Sequence, residues 1–170
     1  MSVIRRALDA AVPGARHHLA GRTPLYELVD ATTDVLLARG ERSHAAEVIG
    51  DDPAAAVALL RSASRRTKGD PLPTLRALPF VTWAMGPLEA LVGALGDELA
   101  SALVLAVGPD AALDEVAELA AAAPLREVRW RLLAEAHRDA GQTRAAIEAL
   151  DTFERNLRGS IASARAKATR

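Results

Sequence analysis

The chain has 170 residues, half of them hydrophobic but only 3% aromatic, and 21 basic against 22 acidic residues leave a formal net charge of -1. That length suits one domain with a real core, and an apolar content led by alanine and leucine favours helices over the Val-, Ile- and aromatic-rich strands of a sheet protein. A balanced charge offers no overall field to draw in nucleic acid or an anionic membrane, and with no cysteine a disulfide framework and a thiolate metal site are excluded.

The basic start MSVIRRALDAAVPGARHH carries an apolar run too short and too interrupted for a secretory signal. No window approaches the ~20 apolar residues of a membrane span, so a cytoplasmic protein without membrane contact is expected. Ser2 to Val12 predicts a short helix ended by Pro13-Gly14, and residues 13–22 a connector. Thr23-Pro24 places an N-cap before a proline at the first helical position. A helix is expected there, with Leu25, Leu28, Val29, Val35 and Leu36 as its apolar stripe and Gly40 as its end. Ser43 to Ile49 reads as one short turn of helix before Gly50. Asp52-Pro53 repeats the cap-and-proline signal and opens a helix with Val57, Leu59 and Leu60, broken at Gly69-Asp70-Pro71.

Residues 71–87 are the least regular part, with prolines at 71, 73, 79 and 87 between Leu72, Leu75, Leu78, Phe80, Val81 and Trp83. So apolar a segment is expected to pack on the domain, because a free linker would be polar. From Pro87 a long apolar helix is predicted to Val107, then a turn at Gly108-Pro109-Asp110 and a helix over Ala111–Ala122. Pro124 begins PLREVRWRLLAEAHRDAGQTRAAIEALDTFERNL, which reads as two helices hinged at Gly141. The tail after Gly159, SIASARAKATR, is small and basic and is expected to fray. Three helix pairs result, 24–67, 87–122 and 125–158. The expected organisation is an N-terminal helix and connector over 1–22, an all-α domain of stacked antiparallel helix pairs over 23–158, and a tail over 159–170.

The last hairpin has the tetratricopeptide pattern of large residues, then small residues where two helices cross, then a turn glycine. Trp130 and Leu133 are the large residues, Ala134 and Ala136 the small ones, Gly141 the turn and Ala146 the close contact in the second helix. Leu150 and Phe153 are expected to fill the next interface, and His137 stands where the repeat usually has tyrosine. Such a hairpin cannot bury its apolar face alone, so stacked neighbours and an exposed concave surface are expected.

DPAAAVALLRSA at 52–63, GDPLPTLRALPF at 69–80, the long helix at 87–107 and PLREVRWRLLAEAHRDAGQTRAAIEAL at 124–150 follow one another in a distinctive order. In that order the chain resembles the bacterial transcriptional activator domain, the tetratricopeptide-like module of the Streptomyces antibiotic regulatory proteins and their mycobacterial relatives. The resemblance covers roughly two thirds of the chain and implies a regulatory, partner-binding role. Regulators of that family carry a winged-helix DNA-binding domain before the module. Here the residues before Asp52 read as helices with no strand-turn-strand wing, and a "G--PS--L" motif after the last helix is missing.

Protein contact or self-association in transcriptional or signalling control is therefore the expected function, with Arg126, Arg129 and Arg138 as partner-binding residues and no cofactor. Two alternatives remain. Residues 39–68 also resemble the middle helices of a winged helix, which would make 24–68 a degenerate DNA-binding unit in which Arg61, Arg65, Arg66 and Lys68 face phosphates. A small-molecule sensor would use an apolar pocket near Trp83, Met85 and Trp130. Catalysis is not expected. The chain has no GxSxG, P-loop, GxGxxG or HExxH. His17-His18 make a poor metal face, and the His44–Glu47 spacing lacks a third ligand. Paired acids such as Asp51-Asp52, Asp97-Glu98 and Asp114-Glu115 are expected at helix starts or on solvated faces.

Overall fold

The computed structural model describes residues 3–22, 25–28, 32–69 and 79–169. A short helix α1 (Val3–Ala11) and a 3-10 turn (Ala15–His18) lead into strands β1 (Leu19–Arg22) and β2 (Leu25–Leu28). These strands pair antiparallel, with Arg22 opposite Leu25 and Leu19 opposite Leu28. The Arg5 guanidinium donates to the Gly21 carbonyl at 2.9 Å and ties α1 to the hairpin. All remaining described elements are helices: α2 (Asp34–Val48), α3 (Pro53–Arg66), α4 (Pro79–Val107), α5 (Pro109–Ala122), α6 (Glu127–Asp139) and α7 (Thr143–Ala168).

The helices form three consecutive pairs, α2–α3, α4–α5 and α6–α7, each packed on the next. The first helices of successive pairs also touch, α2 on α4 and α4 on α6, whereas the second helices approach each other less. The domain is therefore an all-α, tetratricopeptide-like stack with α2, α4 and α6 towards its inner side. Its core is continuous through the three pairs: Ala38 and Ala45 from α2, Leu60 from α3, Leu95, Leu99 and Leu103 from α4, Val116 from α5, and Trp130 and Leu133 from α6. Buried alanines recur wherever two helices cross, at Ala56, Ala100, Ala112, Ala134, Ala146 and Ala149 among the described residues. A methyl side chain lets the backbones approach closely, so the alanine-rich composition and the stacked fold share one cause.

Several boundaries differ from the sequence reading. Thr23, Pro24 and Val29 lie outside the described residues, and Leu25–Leu28 forms a strand in place of the predicted first helical turn. The helix starts at Asp34 instead, where the Thr33 hydroxyl accepts from the Leu36 N–H at 3.2 Å. It then runs through Gly40 and absorbs the predicted separate turn at 43–49. Burial of Ala38 and Ala45 on either side of Gly40 offsets the roughly 1 kcal/mol weakness of a mid-helix glycine. The residues before Asp52 thus include a pair of strands that their sequence did not announce. Of the two arrangements open for residues 24–68, a helix pair or a winged helix, the described helices α2 and α3 form a pair, the first of the stack.

α4 begins at Pro79, eight residues ahead of the expected start, and carries Pro87 within it. A proline can open a helix without losing a bond, and the carbonyl that Pro87 deprives of its helical donor belongs to Trp83, a residue 87% exposed. Residues 70–78 of the proline-rich loop lie outside the described residues. The expectation that no segment reaches membrane-spanning length is also corrected: by length and composition alone Val81–Val107 passes that test, an apolar window within it having a mean hydropathy of 1.8. Leu91, Leu95, Leu99 and Leu103 of that helix are nevertheless core residues between α3 and α5. At the other end α7 does not stop at Gly159 but continues to Ala168, because SIASARAKA holds no proline and is rich in alanine.

Gly141 takes φ 77 at the α6–α7 turn, a conformation that favours glycine. The turn is closed by the Gln142 N–H donating to the His137 carbonyl at 2.7 Å and by a 3.0 Å contact between His137 Nδ1 and Gln142 Oε1. Ala146 then meets α6 at 8% exposure. Ala146→Leu is expected to overpack this crossing and destabilise the domain by ~1–3 kcal/mol, read as a lower midpoint in thermal unfolding.

Candidate protein-interaction groove and the arginine clamp beside it

Successive residues on a helix point about 100° apart, so Asp97 and Glu98 of α4 face different neighbours. Glu98 receives Arg42 of α2, whose Nε donates to both carboxylate oxygens at 2.9 Å. The hydrogen bond to Glu98 raises the Arg42 pKa above its ordinary value. Asp97 receives two arginines of the third pair. Arg129 Nε donates to Asp97 Oδ1 at 2.8 Å, and Arg126 donates to Oδ2. The Asp97 hydrogen bond likewise raises the Arg126 pKa.

Arg129 is the one charged residue buried among the described residues, at 5% exposure. Each of its three nitrogens donates a hydrogen bond: besides Nε to Asp97, Nη1 donates to the Leu119 carbonyl at 2.9 Å and Nη2 to the Gly93 carbonyl at 3.0 Å. Leu119 lies in the last turn of α5, where helical carbonyls lack partners in their own helix, so Arg129 caps α5 while pairing with α4. Room for the two arginines comes from Gly93 and Gly96. A Cβ on Gly93 would lie 2.6 Å from Arg126 Nη1, and one on Gly96 would overlap the Arg129 guanidinium more deeply.

The sequence reading placed Arg126, Arg129 and Arg138 on one partner-binding surface. The structure separates them. Arg129 is buried in the clamp, Arg126 is half-exposed above it, and Arg138 lies at the far end of α6 beside Asp139, at 2.9 Å. Gly93, Gly96 and Asp97 were missed. The available signal was two glycines inside an otherwise apolar helix, each costing about 1 kcal/mol unless close packing requires it.

The basic residues of the winged-helix alternative are dispersed too. Arg61 pairs with Glu115 of α5 at 3.2 Å and Arg66 with Glu41 of α2 at 3.0 Å, while Arg65 and Lys68 are exposed. The acids at 97, 98 and 115 thus bridge helices instead of standing on solvated faces, whereas Asp52 caps α3 by accepting from Ala55 N–H at 2.9 Å. The pocket expected near Trp83 and Trp130 is not formed by them: Trp83 is 87% exposed, and Trp130 is buried in the core.

A groove of about 600 Å³ does open along α4, between the end of α3 and the α5–α6 turn. Its floor is apolar, with Met85, Leu88, Val92 and Leu119, and Lys68 and Arg126 stand on its walls. Among the repeat residues, Leu133 and Ala134 are buried, Phe153 is partly buried against the core, and Leu150 is exposed, not enclosed in a further interface.

Three stacked helical hairpins, joined by charged contacts from α4 to the pairs on either side, define a tetratricopeptide-like helical domain with a groove. Residues 30–170 match the family model of the bacterial transcriptional activator domain, and the chain belongs to that family. No curated protein and no solved structure matches it.

Removing Asp97 strands the buried Arg129, whereas removing Arg129 leaves Asp97 neutralised by Arg126. Asp97→Ala is therefore expected to cost ~3–5 kcal/mol in urea unfolding and Arg129→Ala less. Glu98→Ala, at a half-exposed pair, is expected to cost below about 1 kcal/mol.

Proposed function

We propose that the chain is a non-catalytic protein-interaction module that acts in transcriptional regulation in the cytoplasm. The groove along α4 carries this reading. An apolar floor of Met85, Leu88 and Val92, with Lys68, Glu89 and the Asp97-bound Arg126 on its walls, suits a short amphipathic segment of a partner protein. Val92 is 42% exposed there, a large apolar side chain left open to water on the stack's longest helix. Family membership supports the regulatory context.

The test is a tethering experiment. Fused to an unrelated DNA-binding domain upstream of a reporter promoter in a bacterial cell, the chain is expected to raise transcription. Val92→Glu is expected to abolish the effect with an unchanged melting temperature. Reporter output that does not rise, or that ignores Val92→Glu, would overturn the groove as the contact surface.

A second reading follows from the order of elements at the N-terminus. A helix followed by an antiparallel hairpin, α1 then β1–β2, is the order in which a winged helix presents its recognition helix and wing. Arg6 is exposed on α1. On this reading Arg6→Glu weakens binding to duplex DNA, and the affinity falls steeply as salt rises. Retention on DNA that ignores both changes would sink it.

A further inference from the structure

α7 has 26 residues and α6, its partner in the hairpin, has 13. At 1.5 Å per residue, the second half of α7 projects well beyond the helix that supports it. Ala146, Ala149 and Phe153 pack inward, and Asn156 donates to the Pro124 carbonyl at 3.4 Å. From Leu157 to Thr169 every residue is exposed. A helical segment of this length is marginal in water without packing.

The projecting half continues a stripe that begins on the supported half. Ile147, Leu150, Leu157 and Ile161 are 42–57% exposed. With Glu154, Ala164 and Ala168 they follow alternating steps of three and four residues, the seam of a coiled coil. This seam lies about a third of a turn away from the face that α7 packs on α6. Charge along the helix is polarised. Glu148, Asp151 and Glu154 belong to the first half, and Arg155, Arg158, Arg165 and Lys167 to the second. Within one chain, Arg144 at the very start is taken up by Glu148 at 2.9 Å and Arg158 by Glu154 at 2.7 Å, at the middle where the two halves meet.

We infer that this seam pairs with α7 of a second copy of the chain, antiparallel, and makes the module a homodimer. The charge pattern selects both the occupant and the direction. A helix that is acidic at one end and basic at the other complements its own reverse. In the antiparallel register Leu150 faces Ile161 of the second copy, Ile147 faces Ala164, and Asp151 lies beside Arg158. A parallel pair would set Glu154 against Glu154 and Arg158 against Arg158. The inference rests on the reading of the chain as an interaction module and names one of its partners.

Sedimentation of the purified chain tests it. The expected species has twice the 17.9 kDa chain mass. The double variant Leu157→Asp/Ile161→Asp is expected to halve that mass while the melting temperature of the stack stays unchanged, because both side chains are exposed. Asp151→Arg and Arg158→Asp are each expected to weaken the dimer, and combining them to restore it.

The chain has no cysteine, so Leu150→Cys and Ile161→Cys report direction. An oxidised mixture of the two variants should cross-link, and neither should do so alone. A chain that is monomeric at every concentration overturns the inference and leaves the seam to a helix of another protein. A dimer indifferent to Leu157→Asp/Ile161→Asp, or self-linking of each cysteine variant alone, overturns it equally. Sedimentation uses the pure chain and the reporter assay uses the groove. A monomer that still activates sinks the dimer alone, and a dimer that does not activate sinks the groove alone.

Discussion

Asp97 is the point on which the third helical pair depends. One carboxylate accepts from Arg126 and Arg129, and Arg129 in turn reaches the end of α5 and the backbone of α4. Three helices, α4, α5 and α6, thus meet at one buried guanidinium. An arginine suits this place better than a lysine, because its planar fork holds several donors in fixed directions. The arrangement tolerates no slip. Moving α6 along α4 would carry Arg129 away from Gly96 and into a side chain, and would strand Asp97.

The rest of the stack is organised around the same helix. α4 sends Glu98 to the first pair and Asp97 to the third, so its two adjacent acids fix the position of both neighbours. Arg61 and Glu115 add a bridge between α3 and α5. The exposed bridges contribute little stability individually. Their value lies in register, because an alanine-rich interface is smooth and offers few interlocking side chains to choose one sliding position over another. Hydrophobic burial holds the helices together and the charges decide where they stop.

Much of this fold was legible in the sequence. Trp130, Leu133, Ala134, Gly141 and Ala146 marked a hairpin because large and small residues alternate at helical spacing around a turn glycine. Asp52-Pro53 marked the start of α3 because its cap is local. What was not legible depended on partners far along the chain. Gly40 and Gly159 looked like helix ends, and nothing local showed that burial on either side of Gly40 would carry α2 through. Pro87 looked like a start, because sequence does not reveal that its orphaned carbonyl belongs to an exposed residue. Leu25–Leu28 looked helical because four residues cannot distinguish the two periods. Arg126 and Arg129 looked like partner ligands, for their acceptor lies 29 residues and more away on a helix whose acids had seemed merely solvated.

The structure therefore divides its polar residues by task. Arg129 and Asp97 are spent inside, on the joint between pairs, while the groove along α4 and the seam of α7 stay open to solvent. In a stack where each pair contacts only its neighbours, a broken joint should release one pair and spare the rest. Hydrogen exchange on an Asp97→Ala variant tests this directly. The account predicts faster exchange throughout α6 and α7 with protection kept in α2 and α3. Unchanged protection in α6 and α7, or an equal loss across all three pairs, would contradict it.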